Sequence, residues 1–191
     1  MKHPLFWCVI PAIVGFSAFL TALFFHQVHL AGVKGWQHAD LVAIFPVYTF
    51  TGIGAMLLAG WALDRFGTAA LVPFSPLPMS LGFLMIWGSP GWLGTAAGYG
   101  VIGFGHGVFA TLFAAFWAEF YGSRFLGGIK SLAAAFMVLG SAIGPGITGY
   151  AIDKGMPFPD QMPFVAVYFA LVAALVFIGV RKARPLLPSL S

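Results

Sequence analysis

Between Leu41 and Leu63 the chain carries no charged side chain, and five other stretches are nearly as bare, with charge kept to their ends. An apolar run of about 18 or more residues crosses a hydrocarbon core as a helix, since each residue rises about 1.5 Å against roughly 30 Å of bilayer. The six stretches cover residues 5–30, 41–63, 68–87, 93–121, 127–152 and 162–180. Only 7% of the 191 residues are charged and 60% are hydrophobic. A soluble domain needs about a quarter charged side chains to cover its surface. These facts define an all-α membrane protein: one domain of six transmembrane helices, multi-pass, with the lipid bilayer as its first partner. Pro73, Pro76 and Pro78 remove backbone donors from the third stretch, so it is expected to be kinked, broken or re-entrant.

Lys2 and His3 precede the first apolar run as they would in a signal peptide. That run exceeds the roughly 7 to 15 apolar residues of a cleaved leader, so it is read as a retained helix. Cys8 is the only cysteine, which excludes an intrachain disulfide and leaves a packing or lipid-facing role.

Six crossings put both termini on one side, together with the turns after the second and fourth spans. That side holds Lys2, Arg65, Arg124, Lys130, Arg181, Lys182 and Arg184, and the other side holds Lys34 and Lys154. An excess of Lys and Arg marks the cytoplasmic side. Both termini are therefore expected in the cytoplasm, with the protein in a plasma membrane of the bacterial inner-membrane kind. The net charge of +4 is spread over helix ends without an interleaved aromatic surface, so nucleic acid is not an expected partner.

Two sets of residues stand out at the cytoplasmic joints. Asp64 and Arg65, between Gly60 and Gly67, sit in a turn of very few residues. There Asp64 can meet the positive end of a neighbouring helix, and Arg65 can reach Glu119 at the end of the fourth span. The plainer alternative is a set of solvated charges that fix topology. Glycines recurring every few residues at Gly140, Gly144 and Gly149 offer a flat ridge for close helix approach, and Pro145 weakens the backbone ladder beside them.

The run Gly60-Trp-Ala-Leu-Asp64-Arg65-Phe-Gly67 resembles the Gly-x-x-x-Asp-Arg-x-Gly loop of the major facilitator superfamily, and it lies between the second and third spans as it does there. The basic run that usually follows is replaced by Thr68-Ala-Ala. Glu119-Phe-Tyr-Gly122, Arg124-Phe-Leu-Gly127 and the glycine ridge through Asp153 are similar to the corresponding turn and eleventh helix of that family. Over nearly its whole length the chain resembles the C-terminal six-helix half of such a transporter, of the monocarboxylate or oxalate permease type. The resemblance implies that Asp64, Arg65, Glu119 and Arg124 gate the cytoplasmic side. It also implies that the first and fourth spans line the cavity, the second and fifth lie against a second half, and the third and sixth face lipid. The implied function is secondary active transport of a small solute, with a second six-helix half or a second copy completing the path by rocking one half on the other.

His106 lies near the middle of the fourth span, where an ionisable group is costly and commonly faces a cavity or a partner. Two readings stand side by side: substrate contact or proton transfer by an imidazole that titrates near neutrality, and a neutral ring bonded to a neighbouring helix. Ser17, Thr21 and Phe24 share a face of the first span. Gln27 near its outer end, Tyr48 and Thr49 on the second span, and Phe113 and Trp117 on the fourth are further cavity candidates. No Lys or Arg is counted inside a span, so a carboxylate is expected to find no buried cation in this half. His26 and His29 have metal-ligand spacing but no acid or cysteine partner nearby, so neither a metal nor any cofactor is expected.

Two other classes compete. The chain could be a truncated, non-transporting remnant or accessory membrane protein, as helix one beginning right after Met1 with no linker before it suggests. An intramembrane enzyme fits poorly: hydrolysis needs a nucleophile with a base or an open metal site. Glu119 is 13 residues from His106, roughly 20 Å along one helix.

Overall fold

Six helical spans follow one another in the computed structural model, which describes residues 4–122 and 126–183. They lie where the uncharged stretches placed them, and their ends differ for local reasons. α1 (Pro4–Phe25) is continued by α2 (Gln27–Val33) beyond a turn at His26, and α3 (His38–Val42) leads into α4 (Phe45–Phe66), with Pro46 in its first turn. α4 carries on past Leu63 through Asp64 and Arg65, because charge alone does not break a backbone ladder. It stops at Gly67, whose φ of 73° suits glycine alone.

The third span is a broken helix, one of the forms its prolines foreshadow. α5 (Thr68–Leu71) gives way to a 3₁₀ turn (Val72–Phe74), and α6 (Leu77–Gly88) resumes with Pro78 in its opening turn. α7 (Trp92–Tyr121) ends at Gly122, again with positive φ. α8 is Leu126–Asp153 and α9 is Phe158–Ala183. α9 starts ahead of residue 162 because Pro159 and Asp160 both suit a first turn, and it ends on Arg181 and Lys182, whose charge suits a helix C-terminus.

The helices pack in the order α4, α7, α6, α9, α1, α8. Aromatic rings join α1 to α7 across the middle: Phe16 stacks on Phe109 at 3.8 Å, and Phe6 lies 5.9 Å from Trp117. Hydroxyl ties fix α9, with Ser80 donating to the Ala166 carbonyl at 2.8 Å and Tyr168 to the Pro11 carbonyl at 2.7 Å. The outermost members of the arc, α4 and α8, each rest mainly on one neighbour, α7 and α1 respectively. In its most apolar window the second span is 17% buried and the fifth 11%, against 44% to 50% for the other four.

Glycine sets the distance at both of those contacts. A Cβ on Gly103 or Gly107 of α7 would strike the Tyr48 or Gly52 carbonyl of α4, and one on Gly140 or Gly144 of α8 would strike the backbone of Val14 or Ala18 in α1. Gly149 faces the His26 ring, and Pro145 takes part through its carbonyl, which is 3.0 Å from His26 Nε2. The expected packing role of Gly60 is not met: a Cβ there has nothing within 4 Å, because no helix covers that face of α4. Gly67 serves the turn rather than a helix contact.

A Cβ on Gly179 of α9 would touch Cys8 and Leu5 of α1, so the start of the first helix and the end of the last lie side by side. With Trp117 against Phe6, the end of α7 joins them, and Arg65, Lys130, Arg181 and Lys182 belong to helix ends on this same side.

Candidate functional site

The second and fourth spans bring together two side chains that stand 58 residues apart. Tyr48 Oη and His106 Nδ1 are 2.6 Å from each other and their rings stack, on a face of α7 that the bundle leaves exposed. Close approach is what permits the pair, since Gly103 and Gly107, one turn apart around His106, let the α4 backbone sit against α7. If the imidazole proton is on Nε2, the tyrosine hydroxyl donates to Nδ1 and Nε2–H is turned towards the cleft; the roles reverse in the other tautomer. Tyr48, Thr49, Gly52, Ile53, Met56, His106, Gly107 and Ala110 line this cleft of about 180 Å³. Thr49 spends its hydroxyl proton on the Phe45 carbonyl at 3.1 Å, which leaves its oxygen as an acceptor. The pair can bond a polar solute or pass a proton.

A second cleft of about 320 Å³ lies between α7, α8 and Ile13 of α1. Phe109, Phe113 and Trp117 form one wall, Ala133, Ala134 and Met137 the other, and Lys130 stands at its inner end. Ala110 borders both clefts. His106, Ala110, Phe113 and Trp117 follow one face at helical spacing. Lys130 corrects the expectation that no Lys or Arg lies inside a span: it is the fifth residue of α8, exposed, and its side chain lines the cleft. Counting it with the helix-end charges hid that placement. Its nearness in sequence to the lysine-poor ridge that follows gave no hint of which face it takes.

At the inner turn the roles of the acids are exchanged. Asp64 is exposed and bonds no described residue, whereas Glu119 Oε2 accepts from the Thr68 hydroxyl at 2.6 Å and from the Thr68 amide at 3.3 Å. The carboxylate that meets a helix start is thus Glu119, reaching from the end of α7 to the first residue of α5. Arg65 does not pair with it. Its guanidinium lies over the Phe66 ring at 6.0 Å, because Glu119 is already engaged on the far side of the turn. Arg124 lies outside the described residues. Thr68, which the sequence did not single out, follows directly on the turn glycine. Only its contact with a residue 51 positions away marks it.

The remaining candidates are placed elsewhere. Ser17 and Thr21 of α1 are half-buried and border neither cleft, and Phe24 packs against Phe45, Tyr48 and Tyr99. The Gln27 side-chain oxygen is buried without a partner among the described residues, as are the hydroxyls of Thr95 and Tyr99. His26 and His29 part company: the first bonds the Pro145 carbonyl and the second accepts from the Phe158 amide at 3.4 Å. Lys34 ties the end of α2 to the end of α6 by donating to the carbonyls of Ile86, at 3.0 Å, and Ser89, and burial pushes its ammonium below the ordinary lysine value.

Six apolar spans, two helices with little-covered faces and two clefts along a third define a multi-pass membrane protein of the helical-bundle class. More narrowly, the chain belongs to the Major Facilitator Superfamily, whose sequence profile matches residues 2–189. Members of that family are transporters rather than enzymes. Two curated relatives, each described as a multidrug resistance protein B homolog, come from Mycobacterium tuberculosis strains CDC 1551 / Oshkosh and ATCC 25618 / H37Rv. Each is 34% identical over 121 residues, which is 60% of this chain and 22% of the relative. The match therefore spans about a fifth of those proteins, and neither description is that of a monocarboxylate or oxalate permease.

Proposed function

We propose that this chain is one six-span half of a secondary transporter for a small solute, completed by a second six-span half or by a second copy of itself. The observation that carries the reading is the pairing of Tyr48 with His106 in an open cleft between α7 and the sparsely covered α4. A cleft open along its length holds a solute only when something closes it, and the bare apolar faces of α4 and α8 are where a closing body would rest. Family membership supports transport as the activity, and the printed descriptions of the two mycobacterial relatives, as drug-resistance proteins, fit the same broad class.

In this reading both ends of the chain face the cytoplasm of a bacterial cell, as the excess of cations at that end of the bundle favours. Asp64, Arg65 and Arg124 gate that side by meeting the second half, and Glu119 holds the turn in shape through Thr68. His106 contacts the solute or carries a proton. The test is uptake into cells and proteoliposomes with the chain in its native assembly: His106→Ala and Asp64→Asn are each expected to cut the rate at least tenfold with the protein amount unchanged. Full uptake by both variants would remove these residues from the transport cycle, and no uptake of any solute by any assembly would leave an accessory bundle.

A further inference from the structure

We propose that the cleft between α7 and α8 is a binding site for an amphipathic organic anion, a flat aromatic body of one or two fused rings bearing a carboxylate, held by Lys130 and Trp117; this names the solute class and rests on the transport reading. The lining divides sharply. Phe109, Phe113, Trp117, Ala133, Ala134 and Met137 supply an apolar, largely aromatic slot, and Lys130 is the one charged residue lining it among the described residues. A volume near 320 Å³ is at the small end of sites for organic ligands, and flat rings against Phe113 and Trp117 favour an aromatic body over a sugar.

Charge decides the sign of the ligand. The Lys130 ammonium bonds no described group, and no carboxylate lines the cleft. The described acids are all placed elsewhere: Glu119 on Thr68, Asp40 on the Gln37 amide, Asp64 exposed at the turn, and Asp153 and Asp160 at the outer ends of α8 and α9. Lys130 is exposed at the rim of these apolar walls, and a cation there attracts an anion and repels an organic cation. Trp117 is buried, and its indole N–H donates to no described protein group, so it is a second donor for a carboxylate oxygen. Ala110 borders both this slot and the Tyr48–His106 cleft, so a further donor lies along the same face of α7.

The test is binding of radiolabelled 2-naphthoate to the full chain in lipid nanodiscs, with empty nanodiscs as background and with naphthalene-methanol and benzyltrimethylammonium as neutral and cationic probes. Saturable naphthoate binding is expected, weakened at least tenfold in Lys130→Gln, largely restored in Lys130→Arg, weakened in Trp117→Phe and unchanged in Lys154→Gln at the other end of α8. Lys130 sits at a cleft rim, so these variants keep the native elution profile. Equal binding by Lys130→Gln and native protein, equal binding of the cationic probe, or no saturable naphthoate binding would each overturn the proposal. Its fate is separable from that of transport. Uptake of a non-anionic solute that survives Lys130→Gln would sink the anion site and leave the carrier standing. Lysine-dependent naphthoate binding by a chain that transports in no assembly would uphold the site and end the carrier.

Discussion

The second and fifth spans differ from the other four in how little of them the bundle covers, though all six are similarly apolar. α4 and α8 are about one-sixth and one-ninth buried in their most apolar windows, while the first, third, fourth and sixth spans are close to half buried. Within the packed set, aromatic stacking, hydroxyl ties to backbone carbonyls and the Glu119–Thr68 bond hold each helix to two or more others. The two outer helices rest mainly on one glycine-smoothed contact apiece, with few polar ties beyond it. Lipid tails are as apolar as the side chains of α4 and α8, so hydrophobicity alone gives these faces no reason to seek a partner; close packing and polar contacts must. On the proposed reading this difference locates function: the polar cleft residues and the cation sit on or beside the sparsely covered helices, and the closely packed four serve as the frame.

The frame and the flanks should respond differently to the same kind of substitution. Gly107→Leu drives a side chain into the Gly52 carbonyl and the Ala55 methyl. Since overpacking typically costs about 1–3 kcal/mol and more against a rigid backbone, this variant should lose its folded peak in fluorescence-detected size-exclusion chromatography. Gly60→Leu, in open space on the same span pair, should keep it. Equal loss in both would mean that α4 is covered where the structure leaves it bare.

A smaller effect is expected at the inner turn. Thr68→Val removes the hydroxyl donor from Glu119 and leaves a half-buried carboxylate short of a bond, a change worth about 1–3 kcal/mol. The melting temperature in detergent should fall by several degrees. Asp64→Asn should shift it little, since surface changes generally stay within about 0.5 kcal/mol, yet uptake should drop. A larger melting shift at Asp64 than at Thr68 would reverse the assignment of the two acids.

Smallest in stability is the Tyr48–His106 bond. Hydrogen bonds between membrane helices average about 0.6 kcal/mol, so Tyr48→Phe should barely move the melting curve while reducing uptake several-fold. A variant that melts many degrees lower with normal uptake would make the pair a brace between helices, the second of the two roles open to a mid-span histidine.

Much of the frame could be read from the residues in order. Charge-free length gave all six spans, and the glycine spacing at Gly140 and Gly144 gave a ridge that does press on α1. What stayed hidden depends on which face a side chain takes and on partners far along the chain. Asp64 and Glu119 are both acids at helix ends, and only three-dimensional placement shows that Glu119 reaches Thr68 while Asp64 remains exposed. Lys130 was counted by position as an end charge, because linear order carries depth but not direction. Gly60 belongs to a recognisable motif, which says nothing about whether a neighbour lies against it. Tyr48 and His106 were each visible as polar groups in apolar spans, and their union across 58 residues was not.

The uncovered faces can be probed directly by placing a photo-reactive benzoylphenylalanine at one exposed site per span, in cells, with the chain in its native membrane. Leu57 on α4 and Ile147 on α8 report the flanks, and Leu81 on α6 and Leu171 on α9 report the frame's lipid side; all four are well exposed in the isolated bundle. The account predicts protein adducts of defined mass from Leu57 and Ile147, and lipid adducts alone from Leu81 and Leu171. Lipid adducts alone from all four positions, or protein adducts spread equally among them, would contradict the claim that this bundle is one half of a larger carrier.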